Sequence, residues 1–224
     1  MRWVVVKISG RLLNPVNTEW LKNMRRAVEE SLSRVRLAFV VGGGLLTRDY
    51  VQALRSLKVP EALLDTVGIK VSRLNAYVIA LALSPYTSLR IPESIEEAVE
   101  EARRGLLPVM GGLQPGQSTN AVSISLAEAL EADVVLNLLA DVSGVYNPPP
   151  GQPNSKLLER LSYEEMEKLI SSYPQVAGAY ELFDMVALKL AERSGVKVFF
   201  TNGRDPTVIA SYVKGERVVG TLLN

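Results

Sequence analysis

Short apolar runs alternate with amphipathic helical stretches along most of the chain. Trp3 to Ile8 is apolar without polar alternation, which is typical of a buried strand. Asn17 and Thr18 then offer N-caps to a helix whose apolar residues recur at helical spacing as far as Leu32. A second strand, Leu37 to Val41, runs directly into three glycines.

The same alternation continues toward the C terminus. Apolar strands that are each followed by a helix indicate a mostly parallel sheet covered on both faces. The pattern predicts helices around Arg48 to Leu57 and from Pro60 to Leu83, then strands at Ser88 to Ile91, Leu106 to Met110, Asp133 to Leu139 and Val196 to Thr201, with helices near 93–104, 118–131, 162–172, 180–194 and 205–213.

The chain is expected to form one domain over residues 1–224, built from two lobes. The one shift in composition is the proline-rich run Asn147 to Asn154, which is typical of a stiff surface loop. Because strands resume after it, we interpret it as a loop inside the second lobe. The boundary between the lobes is predicted near residue 130, giving lobes of 1–130 and 131–224.

Composition narrows the class of protein. The 224 residues are 47% hydrophobic and 22% charged, enough for one substantial core and unlike a disordered chain. Lys and Arg total 25 against 24 Asp and Glu, so the charge gives no reason to expect a nucleic-acid partner. No apolar run approaches the ~18 residues of a membrane span, and the start, Met1 to Lys7, does not resemble a signal peptide. We therefore expect a cytoplasmic protein.

The chain contains no histidine and no cysteine. Serine–histidine triads, cysteine nucleophiles, thiolate zinc sites and imidazole bases are therefore excluded. Catalysis would have to use lysine, arginine, carboxylates, hydroxyls, backbone amides or a hard cation bound by oxygen.

Glycine-rich segments follow several of the predicted strands. Ligands bind at the carboxyl ends of parallel strands, and glycines there let backbone amides approach a phosphate closely. Several such segments together predict a site for more than one phosphate group. The segments after the strands are Lys7 to Arg11, Gly42 to Arg48, Gly111 to Thr119, Ala140 to Tyr146 and Thr201 to Asp205.

Neither common phosphate template fits these turns. There is no Gly-Lys pair for a Walker P-loop, and Gly42, Gly44 and Thr47 miss the third glycine of a dinucleotide fingerprint. Taken singly, a glycine turn is more often only a tight turn, and a lysine ending a strand is more often solvated. Their joint occurrence favours an anion site.

Several short blocks of distinctive residues occur in order over nearly the whole chain. They are Lys7-Ile8-Ser9-Gly10, Gly42-Gly43-Gly44 with Arg48, Asp65 with Gly68, Ser72 to Ala76, Gly111 to Thr119, Gly144-Val145-Tyr146, Tyr180 to Asp184 and Glu192 to Ser194. Together these blocks resemble the archaeal type of UMP kinase, in the amino acid kinase superfamily. That resemblance implies a three-layer αβα sandwich of the carbamate kinase-like kind with a mostly parallel central sheet. It also implies transfer of the γ-phosphoryl group of ATP to UMP with Mg²⁺, in pyrimidine nucleotide biosynthesis, by a homo-hexamer.

The resemblance also implies roles for individual residues. Lys7 matches a transition-state lysine and Asp184 an aspartate that orients the active-site cations, so these two are the expected catalytic residues. No protein ligand for the metal is implied, because the ATP phosphates would hold most of the Mg²⁺. ATP binding is implied for Lys7, Ser9, Gly10, Gly44, Arg48, Ala140 and Tyr146, and UMP binding for Gly43, Asp65, Leu113, Gln114, Pro115, Gly116, Gln117, Ser118 and Thr119.

The chain departs from the family pattern in two places. Ala140-Asp141-Val142-Ser143 stands where relatives usually read Thr-Asn-Val-Asp, so donor affinity or choice is expected to change before the chemistry does. Asn120 stands where many relatives have aspartate. Two alternatives therefore stay open: a catalytically silent nucleotide-binding or storage homologue, and a kinase of the superfamily that acts on a carboxylate or carbamate.

Two charged residues also have purely structural interpretations. Asp184 stands at the predicted start of a helix, where an acidic residue is favoured by the helix dipole alone. Arg73 is interpreted as a structural or interface residue, because nothing in the sequence places it near phosphate.

Overall fold

The computed structural model describes residues 2–172 and 182–224. Its strands are β1 (Trp3–Ile8), β2 (Arg36–Val41), β3 (Val109–Met110), β4 (Val134–Leu139), β5 (Tyr146–Asn147), β6 (Lys156–Leu157), β7 (Arg160–Leu161), β8 (Lys197–Asn202) and β9 (Gly220–Leu223). Its helices are α1 (Thr18–Ser31), α2 (Gly44–Ser56), α3 (Glu61–Ala82), α4 (Ile95–Arg103), α5 (Thr119–Ala129), α6 (Tyr163–Ser172), α7 (Met185–Ser194) and α8 (Val208–Lys214), with a 3₁₀ turn at Gly10–Leu13.

Within the described residues, seven strands form one sheet in the order β3-β2-β1-β4-β8-β9-β7. Strands β3, β2, β1, β4 and β8 are mutually parallel, whereas β9 runs antiparallel to β8. Strands β5 and β6 form a separate antiparallel pair. The predicted mostly parallel αβα sandwich is confirmed.

The core consists of two apolar layers, one on each face of the sheet. Helices α1, α3 and α8 cover the face that receives Val4, Val6 and Ile8. Helices α4, α5, α6 and α7 cover the opposite face, which receives Val5. Because side chains alternate along a strand, Lys7 belongs to the face of Val5, beneath α5 and α7. This alternation places the one lysine inside β1 next to the start of α7.

The predicted start of α1 is confirmed. The Asn17 side chain accepts hydrogen bonds from the backbone N–H groups of Glu19 and Trp20, as an N-cap does. Trp20 in turn donates its indole N–H to the carbonyl oxygen of Gly203, at 2.8 Å. This bond ties α1 to the loop after β8.

Some predicted elements are wrong. Residues 88–91 form no strand in the structure; Leu89 is exposed there, and Pro92 follows without a backbone donor. The helix predicted from Arg48 begins four residues earlier, at Gly44, and α7 begins at Met185. Residues 180 and 181 of the predicted helix lie outside the described part.

No helix in the described ranges combines the length and hydropathy that a membrane span requires.

Candidate functional site

The glycine turns after β1 and β2 lie against each other, backbone to backbone. A Cβ atom on Gly10 would lie 2.3 Å from the Gly42 oxygen and the Gly44 nitrogen. Gly44 has a positive φ of 72°, and a Cβ there would lie 2.3 Å from the Gly10 carbonyl carbon. Only glycine fits these two positions. The turns after β1 and β2 are therefore in direct backbone contact at the carboxyl ends of these strands.

The second turn leads into the N terminus of α2. Gly43 occupies the N-cap position and has no side chain to satisfy the first amides of the helix. Arg48 lies exposed in the same part of α2. Free N–H groups, a helix dipole and a nearby guanidinium together make a site for an anion.

Asn75 of α3 binds the backbone of this turn. Its side-chain amide donates to the carbonyl oxygens of Gly42, at 2.8 Å, and Gly43, at 3.2 Å, and the residue is buried in α3. These two hydrogen bonds fasten the backbone of the turn to α3. Sequence reasoning assigned Asn75 no role, although a lone amide on the apolar face of α3 was a signal.

A cavity of ≈ 730 Å³ opens in front of the second turn. The cavity is lined by residues of the turn, of α3 and of the loop before α5. Asp65 of α3 accepts a hydrogen bond from the Gly116 backbone N–H of that loop, at 2.8 Å. Arg48, expected with ATP, borders this same cavity. Among the residues that the resemblance singled out, the lining includes Gly43, Gly44, Arg48, Asp65, Gln114, Gly116, Gln117, Ser118 and Thr119.

The loop that carries most of these residues is anchored at its first residues. Ser72 accepts a hydrogen bond from the Gly112 N–H at 2.8 Å. Arg73 donates to the Gly112 oxygen at 3.0 Å and to that of Leu113 at 3.4 Å, and forms an ion pair with Glu93. The structural interpretation of Arg73 therefore agrees with its contacts.

Lys7 lies at the end of β1, with 8% of its surface exposed. Burial lowers the pKa of its ammonium to about 8, and the negative charge of Asp184 opposes that shift. The ammonium makes no hydrogen bond or ion pair with any residue in 2–172 or 182–224. The structure therefore buries a cation beside a carboxylate without joining the two directly.

Asp184 connects two helix starts beside Lys7. One of its oxygens caps α7 by accepting the Ala187 N–H at 2.9 Å. The other accepts a short hydrogen bond from the Ser118 hydroxyl, whose oxygen in turn caps α5 through the Ala121 N–H. Asp184 is therefore the N-cap of α7, as one of its two sequence interpretations predicted. Its predicted role in orienting the cations stays a prediction. Residues 180 and 181 of the block that carried Asp184 lie outside the described part.

The residues expected at the adenine lie after β4. Asp141 pairs with Arg11 at 2.8 Å and Arg204 at 3.2 Å, which ties together the loops that follow β1, β4 and β8. Ala140 borders a second cavity of ≈ 770 Å³, on the face covered by α1 and α8. Tyr146 lies on β5, in register with Leu157. The altered loop is therefore held by ion pairs.

The described residues contain no group of three or more acidic side chains placed to hold a metal ion. Asp184 already accepts a hydrogen bond at each oxygen. This donor set fits a Mg²⁺ ion that is bound mainly by phosphate oxygens and reaches a single protein carboxylate.

Comparison with known families gives a match over most of the chain. The model of the amino acid kinase family matches residues 2–202. A uridylate kinase of Aeropyrum pernix is 46% identical over 219 residues, which covers 97% of this chain and 97% of that protein. A uridylate kinase of Hyperthermus butylicus is 40% identical over 222 residues, which covers 98% of this chain and 97% of that protein.

Solved structures give the same picture. The crystal structure of uridylate kinase from Archaeoglobus fulgidus superposes with a TM-score of 0.87 and 33% identity, covering all of both chains. UMP kinase from Ureaplasma parvum superposes with a TM-score of 0.82 over all of this chain and 98% of that one. At 18% identity, that second likeness concerns the fold alone.

Proposed function

Because this chain belongs to the amino acid kinase family, we propose that it transfers the γ-phosphoryl group of ATP to UMP, giving UDP and ADP. The observation that carries the proposal is the cavity lined by Gly43, Gly44 and Asp65, beside the turn that follows β2. The buried Lys7 lies near the end of β1, the strand that pairs with β2. Full-length similarity to uridylate kinases supports UMP as the acceptor.

The acceptor UMP is placed in the ≈ 730 Å³ cavity. In this proposal its phosphate faces the amides of Gly43 and its ribose hydroxyls donate to Asp65. One Asp65 oxygen already accepts the Gly116 N–H. Ribose binding would therefore join α3 to the loop over UMP, residues Leu113, Gln114, Pro115, Gly116, Gln117, Ser118 and Thr119.

The donor phosphates are placed along the turn that contains Lys7, Ser9, Gly10 and Gly44, with adenine toward Ala140 and Tyr146. Phosphoryl transfer needs in-line placement and positive charge on the equatorial oxygens of the moving group, and little covalent work. Lys7 supplies that charge, and the glycine amides supply fixed dipoles. The attacking UMP oxygen is ionised near neutral pH, so the absence of histidine does not hinder this step.

Mg²⁺ enters with ATP as part of the substrate and neutralises charge on the donor oxygens. Asp184 is proposed to orient that hydrated ion and to hold Lys7 in its protonated form. Its place between the two helix starts fixes the carboxylate before substrate arrives.

The lobes and the assembly are part of the same proposal. Residues 1–130 would bind the acceptor and residues 131–224 the donor, in a cytoplasmic enzyme of pyrimidine nucleotide biosynthesis. Exposed apolar side chains on α3, including Leu63, Leu74 and Leu81, support burial of that helix in the proposed homo-hexamer. The mass of the particle in solution tests the assembly.

The activity should fall as pH rises through about 8, the pKa of Lys7. The acting form is the ammonium, which persists below that pKa and is lost above it. The measurement is kcat/KM from pH 6 to 10 with both substrates below their KM values, which reports the free enzyme. A profile that stays flat to pH 10 would contradict the role of Lys7.

Replacing Asp65 by alanine should raise the KM for UMP by about 10-fold or more, because a charged hydrogen-bond acceptor is lost. The KM for ATP should change by less than about 3-fold, since Asp65 belongs to the acceptor cavity. Steady-state kinetics in both substrates measure the two effects. The matched control is Asp49→Ala, an exposed carboxylate of α2 outside the lining; equal effects in both variants would reject the assignment.

The activity itself is tested by incubating purified protein with UMP, ATP and Mg²⁺ and measuring UDP. Turnover that requires UMP is the expected result. UMP and ATP binding without product would instead identify a silent homologue. Phosphorylation of a carboxylate or carbamate without affinity for UMP would identify another kinase of the family.

A further inference from the structure

Asn137 is a buried amide beside Lys7. It lies in β4 with 1% of its surface exposed, and parallel pairing places it directly opposite Lys7 of β1. Paired residues of neighbouring strands present their side chains on the same face of a sheet. An amide in an otherwise apolar strand is costly to bury unless its polar atoms are used.

The hydrogen bonds around Asn120 fix the orientation of both amides. The Asn120 side-chain N–H₂ group donates to the Leu182 carbonyl oxygen at 3.4 Å and to Asp184 at 3.5 Å, and neither of these oxygens can donate. The Asn120 side-chain oxygen must therefore face Asn137. It accepts the Asn137 N–H₂ group at 3.3 Å.

This orientation leaves the Asn137 side-chain oxygen (Oδ1) turned away from Asn120. That atom is buried and has no hydrogen-bond partner among the described residues. An acceptor cannot stabilise a phosphate oxygen, which is itself an acceptor. The atom needs a donor, and its neighbour in register, Lys7, has an ammonium without a partner within residues 2–172 and 182–224.

We infer that Asn137 is a positioning residue for Lys7, whose ammonium donates to the Asn137 oxygen while it contacts the transferring phosphoryl group. The inference rests on the proposed function, since Lys7 is the group that it positions. The Asn137–Asn120 pair then links β4 to α5 and to Asp184. Lys7 would be held between the carboxylate and the amide.

The surroundings of Lys7 contain little other charge. Asp184, at the start of α7, is the one charged group recorded as acting on it in the described structure. Strand β4 presents Asn137, α5 presents Ser118 and Asn120, and β2 presents Val40 in register. An uncharged acceptor at residue 137 therefore matters for where the ammonium lies and for how readily it keeps its proton.

Two substitutions of Asn137 test the role of its side-chain oxygen. Asn137→Leu removes the acceptor toward Lys7 and the donor toward Asn120. Asn137→Asp keeps an acceptor and loses the donor, and it adds a negative charge that also favours the Lys7 ammonium. Asn137→Leu should lower kcat by about 10- to 100-fold, with both KM values within about 3-fold of wild type, as expected for lost positioning. Asn137→Asp should keep at least roughly a third of the wild-type kcat.

The control is Thr201→Val. It also removes one buried side-chain hydrogen bond from this sheet, the bond from the Thr201 hydroxyl to the Val219 oxygen. Thermal melting identifies the variants that fold, and Asn137→Ala carries the same prediction as Asn137→Leu. Wild-type kcat in the leucine or alanine variant overturns the inference, as does a loss as large in Thr201→Val.

Titration of the Lys7 side chain by NMR in the complex with UMP and a non-hydrolysable ATP analogue gives a readout apart from activity. Asn137→Leu should lower the pKa of Lys7 below its wild-type value, because an acceptor that favours the ammonium is lost; an unchanged pKa overturns the inference. Absence of turnover in the wild-type protein would reject the proposed function, whereas normal wild-type turnover with an unaffected Asn137→Leu variant would reject only the inference.

Discussion

Replacing Lys7 by methionine is expected to lower kcat at least about 100-fold, because a positive charge aimed at the transferring phosphoryl group is lost. Methionine replaces the apolar stem of lysine without its terminal ammonium, and it removes a buried charge whose desolvation lowers the pKa of Lys7. The variant should therefore fold at least as stably as the wild type. UDP formation and thermal melting measure the two properties.

The control for this substitution is Lys197→Met. Lys197 begins β8 and is exposed, so the same change there removes a positive charge at a position outside the cavity and the glycine turns. The kcat of Lys197→Met should equal that of the wild type. Near-normal turnover in folded Lys7→Met protein would show that the phosphoryl group is transferred elsewhere.

Replacing Asp184 by asparagine should also lower kcat by about 100-fold, with little loss of stability. Asparagine is as good an N-cap as aspartate, so α7 should keep its start. What disappears is the negative charge that opposes the lowering of the Lys7 pKa and that would orient the hydrated cation. Measuring kcat at saturating substrates reports the loss of the charge, and thermal melting reports whether the helix cap is kept.

Asp205→Asn is the matched control for Asp184→Asn. Asp205 is exposed and accepts the Thr207 N–H at 3.0 Å, so it too fixes a turn before a helix. Loss of turnover in both variants would point to backbone disorder at the helix starts. Loss of stability without loss of turnover in Asp184→Asn would reduce Asp184 to its structural role.

The main architecture could be predicted because it follows from local patterns. Strands β1, β2, β4 and β8 are continuous apolar runs, and the N-cap of α1 is a direct consequence of Asn17. The rule that ligands bind at the carboxyl ends of parallel strands led to the turns after β1 and β2. The turn after β2 lines the ≈ 730 Å³ cavity, and the turn after β1 packs against it.

Elements that depend on distant partners could not be predicted. Strands β5, β6 and β7 have two residues each, too few for any periodicity. Strand β9 forms through pairing with β8 and β7, which lie at other places in the sequence. Its residues, Gly220 to Leu223, carry no pattern of their own strong enough to predict a strand.

The buried amides of the site were missed for a related reason. Asn75 and Asn137 each stand alone in an apolar segment, and only the folded chain brings one to the glycine turn and the other to Lys7. A sequence pattern records that such a residue is polar and buried, but not which group it meets. For Asp184 the predicted helix cap is confirmed, and the predicted role toward the cations stays a prediction.

The most direct test of this account is an electron-density map of the protein crystallised with UMP and a non-hydrolysable ATP analogue. We expect UMP in the cavity beside Asp65, the donor phosphates along Gly10 and Gly44, and the Lys7 ammonium between the two phosphate groups. Nucleotide density only in the cavity on the α1 and α8 face, with none beside Asp65, would contradict the proposed function.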